Sequence, residues 1–114
     1  MIQIIGSKKC RATKKAKRFF SERGIGFQDF DLKTHRLSPG ELSNIAKSVP
    51  PEELIDSDGD FYRKAGYQWR EYDPLEEILE HPELLKTPVV RAAGSAVCGD
   101  APNVWSEFAR REKG

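Results

Sequence analysis

Residues 2–5, Ile2-Gln3-Ile4-Ile5, form a nearly continuous apolar run and predict a short buried strand. Gly6-Ser7 turns the chain. From 11 to 23 the spacing becomes helical, with Ala12, Ala16, Phe19 and Phe20 on one face and basic residues elsewhere. Gly24 is placed to end that helix. Residues 25–32 alternate loosely and are rich in aromatics, which predicts a second strand. Two strands joined by a helical crossover make a parallel pair with a right-handed connection.

The middle of the chain reads differently. Ser38-Pro39-Gly40-Glu41 is a helix start, with Ser as N-cap, Pro first and Glu three after the cap. Leu42, Ile45, Ala46 and Val49 give its apolar face, and Pro50-Pro51 stops it. Residues 51–72 read as short helical turns around the loop Asp56-Ser57-Asp58-Gly59-Asp60. Asp73-Pro74-Leu75-Glu76 repeats the cap pattern, and the helix it opens runs to His81-Pro82. Residues 87–91 and 95–98 are two short strands spaced for a hairpin about Ala92-Ala93-Gly94. A last helix, opening at Pro102, turns Val104, Trp105 and Phe108 inward.

At 114 residues the chain suits one domain with a modest core. A net charge of +1 gives no global field toward nucleic acid or membrane. No apolar run approaches the roughly 18 residues of a membrane span, and Met1 leads almost directly into a strand, without the pattern of a signal peptide. Cys10 and Cys98 do not make a disulfide framework, and free thiols in the cytoplasm are expected. A monomer is expected, and no Cys/His cluster has metal-ligand spacing. The charge is segregated: residues 8–23 hold Lys8, Lys9, Arg11, Lys14, Lys15, Lys17, Arg18 and Arg23 against Glu22 alone, whereas residues 52–60 are acidic without a base.

Cys10 stands where the first helix begins. Unpaired N–H groups and the helix dipole favour an anion there, and Lys8, Lys9 and Arg11 add full positive charges. All favour the thiolate, the nucleophilic form. A hydroxyl at Thr13 can also hydrogen-bond the thiolate and hold its pKa down.

The strand–loop–Cys–helix start, the β-α-β then β-β-α order and a proline opening the third strand resemble the thioredoxin fold. Ile4-Ile5-Gly6-Ser7-Lys8-Lys9-Cys10 with Thr13-Lys14-Lys15-Ala16, Leu37-Ser38-Pro39-Gly40-Glu41-Leu42, Tyr62-Arg63-Lys64 and His81-Pro82-Glu83-Leu84-Leu85-Lys86-Thr87-Pro88-Val89-Val90 resemble the arsenate reductase-like (ArsC/Spx) family. The resemblance implies an α/β fold: a mixed four-stranded thioredoxin-like sheet with halves 1–37 and 86–114 and a helical insert over 38–85. It implies Cys10 as nucleophile and Pro88 as a cis-proline beside it. Thr87 would pair through its backbone with an extended thiol substrate such as glutathione. Ser7, Thr87, Pro88 and Val89 are thus the expected substrate-binding residues, and Lys8, Lys9, Arg11 and Thr13 the thiolate-tuning ones.

The departures redirect the chemistry. Where arsenate reductases of this family place oxyanion-binding arginines, this chain has Thr87 and, by register, Asp58 or Asp56. Arginine suits oxyanions through its paired, charge-assisted bonds, which neither replacement supplies. Spx-type regulators carry Cys-x-x-Cys, and the second cysteine is Thr13 here. The implied function is a monothiol redox protein, a thiol-disulfide reductase with glutathione as co-substrate and no bound cofactor. The alternatives are an arsenate reductase with an altered anion site and a non-enzymatic, Spx-like regulator binding a protein partner.

Overall fold

The apolar run of β1 (Ile2–Gly6) is explained by what covers it. In this computed structural model, which describes residues 1–113, β1 is interior to a four-stranded sheet of order β2-β1-β3-β4. β2 (Phe27–Asp31) pairs with it in parallel. β3 (Val89–Ala92) runs antiparallel to β1, and β4 (Ser95–Cys98) antiparallel to β3. This is the mixed, thioredoxin-like sheet expected.

Side chains alternate across a strand, so β1 feeds two cores. Ile2 and Ile4, with Val90, face α1 (Arg11–Glu22) and α5 (Pro102–Lys113), where Phe20, Trp105 and Phe108 are buried. Ile5 and Val89 face the helical segment between β2 and β3, against Leu42, Ile45, Leu54, Ile78 and Leu84. That segment comprises α2 (Pro39–Ala46), α3 (Asp60–Lys64), α4 (Pro74–Glu80) and three short 3-10 turns. It forms a full layer over one face of the sheet. Among the described residues no helix is long and apolar enough to cross a membrane.

Two expectations change. The inward face of α1 is Thr13, Ala16 and Phe20, a spacing of three then four, and Ala12 lies one position off that line and is only half-buried. The second strand begins at Phe27. Gly24 is left-handed at φ +69°, and Ile25 returns its N–H to the Phe20 carbonyl at 3.0 Å. The chain is therefore still turning at Ile25, which is buried ahead of the strand.

The predicted helix starts are present. Ser38 Oγ accepts from the Glu41 N–H at 3.1 Å, and Glu41 Oε1 accepts from the Ser38 N–H at 3.0 Å, completing a capping box. Asp73 accepts from the Leu75 N–H at 3.0 Å. Replacing Ser38 by Ala is expected to cost about 1 kcal/mol and Phe20→Ala about 3–5 kcal/mol. Urea denaturation should rank them in that order, because the cap is on the surface and Phe20 is fully enclosed.

Candidate active site

β1 ends at Gly6, and the loop that follows delivers Cys10 to the start of α1. The Cys10 N–H donates to the Ser7 carbonyl at 3.1 Å, and the Cys10 carbonyl accepts from the Lys14 N–H at 3.1 Å. Cys10 is thus the N-cap, extended at φ −81° and ψ 120°. Its thiol makes no capping bond in this form. It donates instead to the Thr87 carbonyl at 3.6 Å, across 77 positions of sequence. The Thr87–Pro88 peptide is cis, as the resemblance implied.

The pKa of Cys10 lies below the 9.0 of an unperturbed thiol. Partial burial pushes it up, but hydrogen bonds to the anionic form outweigh that: first the Thr13 and Thr87 hydroxyls, then the backbone N–H groups of Thr13 and Ala12. These amides are the free donors of the helix's first turn. Thr13 is 1% exposed, and its Oγ1 has no hydrogen-bond partner while Cys10 is neutral. Such a buried deficit is costly, and ionisation removes it by giving the hydroxyl a thiolate to bond. A Cβ at residue 6 would overlap the Thr13 side chain, so glycine there lets the helix seat this hydroxyl.

Lys8, Lys9 and Arg11 behave otherwise than expected. All three are exposed, and none contributes to the lowering, since solvent screens their charge. They and Lys14 form no ion pair among the described residues, whereas Lys15 binds Asp100 at 3.0 Å and Lys17 binds Asp29 at 2.8 Å. The result is an unneutralised basic ridge around the thiol. It places cations where the helix dipole favours anions.

Of the expected substrate contacts, Ser7 and Thr87 lie beside Cys10 and line a cavity of about 390 Å³. Pro88 is buried, its carbonyl accepting from the Gly99 N–H at 2.8 Å. Val89 is a correction: it is wholly enclosed in the core between sheet and helical layer and cannot touch a substrate. Asp31, Leu32, Lys33, Pro82, Glu83 and Leu85 also line the cavity, unforeseen because they come from two segments far apart in sequence, the end of β2 and the turn before β3. Of the two candidate positions in the acidic loop, Asp56 reaches it.

Cys98 does not share the site's electrostatics. Burial pushes its thiol up to about 12, Lys86 offsets this in part, and Asp56 and Glu53 add to it. It donates to the Lys86 carbonyl at 3.0 Å. Arg91 is held by Gln3 at 3.3 Å and Asn44 at 3.0 Å. In the aromatic insert, Tyr67 is buried and donates to Glu77 at 2.7 Å, while Trp69 is 83% exposed.

The model of the ArsC family matches residues 5–108. The chain belongs to the ArsC family. Its curated relatives include the global transcriptional regulator Spx 2 of Oceanobacillus iheyensis, 27% identical over 95 residues, which span 78% of this chain and 69% of that one. A solved structure designated YFFB superposes with a TM-score of 0.86, covering 96% of this chain and 99% of that one at 21% identity, a likeness of fold. An arsenate reductase (ArsC) related protein from Brucella melitensis is 27% identical, with a TM-score of 0.70 over 94% of this ArsC-family chain and 92% of the other.

Iodoacetamide should alkylate Cys10 with a midpoint below 9.0 and leave Cys98 unmodified through neutral pH. Thr13→Val should raise the Cys10 midpoint, and an unchanged midpoint would refute the hydroxyl's role. Since folding lowers this pKa, ionised Cys10 stabilises the fold fully above 9.0, and that gain is lost as pH falls through the folded value. Relative to Cys10→Ser, wild type should therefore gain stability as pH rises across that window in urea titrations.

Proposed function

We propose that this protein is a monothiol reductase that uses glutathione to reduce disulfides, and in particular glutathione mixed disulfides. The observation that carries the reading is the lowered pKa of a single thiol at a helix start, hydrogen-bonded to the segment that opens β3. Family membership, with an Spx regulator and an arsenate reductase-related protein among its relatives, supports thiol redox chemistry of the same broad kind.

The Cys10 thiolate attacks the glutathione sulfur of a protein–glutathione disulfide. The S–S bond breaks, and the protein sulfur leaves as thiolate and takes a proton from water. A second glutathione, as thiolate, attacks the bound glutathione sulfur, releasing oxidised glutathione and regenerating the Cys10 thiolate. The incoming glutathione thus supplies the electrons that reduce the substrate, and no second protein thiol is required.

Each residue has a part. Ala12, Thr13 and Thr87 hold the negative charge on sulfur before attack and after release. Among the described residues nothing accepts the Thr87 N–H, which leaves it for the backbone of an extended glutathione. Lys8, Lys9 and Arg11 attract the carboxylates of glutathione rather than tune the thiol. Cys98 is unsuited to resolving a mixed disulfide, because its thiolate is scarce at neutral pH.

Arsenate fits less well. No arginine lines the cavity beside Cys10, which holds Asp31, Asp56 and Glu83 instead, and Arg91 is engaged elsewhere.

In a coupled assay with a glutathionylated peptide, glutathione and glutathione reductase, wild type should turn over. Cys10→Ser should lose at least about a hundredfold, and Cys98→Ser should keep its rate. Turnover of arsenate in place of disulfides, or loss of activity in Cys98→Ser, would overturn the monothiol reading.

A further inference from the structure

The 390 Å³ cavity, walled by Ser7 and Thr87, and the exposed cations Lys8, Lys9 and Arg11 both adjoin the Cys10 segment and carry opposite charge. The cavity opens where Ser7, which holds the Cys10 N–H, and Thr87, which accepts from its sulfur, both form the wall. Its volume is within the roughly 300–1,000 Å³ of ligand pockets. Asp31, Asp56 and Glu83 line it, against one cation, Lys33. None of the three carboxylates has an ion-pair partner among the described residues, although Asp31 also accepts from the Lys33 N–H at 2.9 Å. Three carboxylates and one ammonium leave the cleft with two excess negative charges. Leu32 and Pro82 offer apolar surface beside them, the pairing that a long aliphatic stem ending in a cation uses. At the thiol, the buried and unpartnered Thr13 hydroxyl marks the point where the reacting sulfur gathers charge.

We propose that the cleft selects glutathionylated cysteines that lie in a basic stretch of polypeptide, with a neighbouring lysine or arginine seated between Asp56, Glu83 and Asp31. This rests on the reductase reading above and names its substrate class. A glutathione mixed disulfide joins an anionic half to a polypeptide half. Glutathione, with two carboxylates and one ammonium, is drawn to Lys8, Lys9 and Arg11 and repelled by the cleft. A basic polypeptide is drawn the opposite way. The two halves are therefore drawn to different residues around Cys10 before any bond is made. The sulfur attacked is the one on the basic side, and the polypeptide sulfur leaves over the acidic cleft. Once the polypeptide has gone, the second glutathione approaches from the ridge.

The test uses three glutathionylated peptides of equal length, with the cysteine flanked by lysines, alanines or glutamates, and compares kcat/KM in the full-length protein. The lysine peptide should lead and the glutamate peptide trail, separated by about tenfold at low salt, and the gap should close as salt is added. Asp56→Asn and Glu83→Gln should each narrow the ratio of lysine to glutamate peptide by about two- to fivefold. Equal rates for all three peptides, or a ratio insensitive to salt and to both substitutions, overturn the charge selection while leaving the reductase reading in place. No turnover of any peptide, with the Cys10 alkylation midpoint still below 9.0, overturns both.

Discussion

Burial of β1 on both faces is the constraint from which the site follows. Ile4 is locked into one core and Ile5 into the other, so a one-residue slip would expose both sets to the wrong neighbours. The strand cannot slide, and its C-terminal end is fixed against the segment that opens β3, which pairs with it from the opposite direction. Cys10 and Thr87 meet because these two strands are in register, although they are far apart in sequence. The 3.6 Å contact between them is a product of the whole sheet and of the layers that clamp it.

The chemistry at that point is set by hydrogen bonds more than by nearby charge. Exposed lysines lose most of their field to water. A buried hydroxyl and two helix-start amides lose little, and they act at contact distance. The ridge of cations is then free for the recognition role proposed for it. On that proposal, sulfur tuning and charge recognition fall to different residues of one short segment, the first to groups pointing into the protein and the second to groups outside it.

Much of this was legible in the sequence, for identifiable reasons. The strands, the helix caps at Ser38 and Asp73 and the place of Cys10 at a helix start are written in local grammar: period, capping residues and turn glycines. The segment around Pro88 was legible only through resemblance to a family. The cleft was not legible, because Asp31, Asp56 and Glu83 come from β2, the acidic loop and a 3-10 turn, and only the folded chain brings them together. Val89 was misplaced for a related reason: motif adjacency put it beside the thiol, whereas strand alternation turns it into the core. Thr13 was foreseen as a partner of sulfur but not as a core residue, since a threonine on a basic helix gives no hydrophobic signal.

The close approach of Gly6 to Thr13 ties two positions into one choice. The strand end can carry a side chain only if the helix residue facing it becomes smaller or turns away, and turning it away removes the hydroxyl from the sulfur. Within the ArsC family, positions 6 and 13 should therefore vary together: lineages with a bulky residue at the first should show a different means of charging the thiol at the second. A pair seven residues apart in this chain would then act as a single inherited character, marking which branch of thiol chemistry a given member has taken.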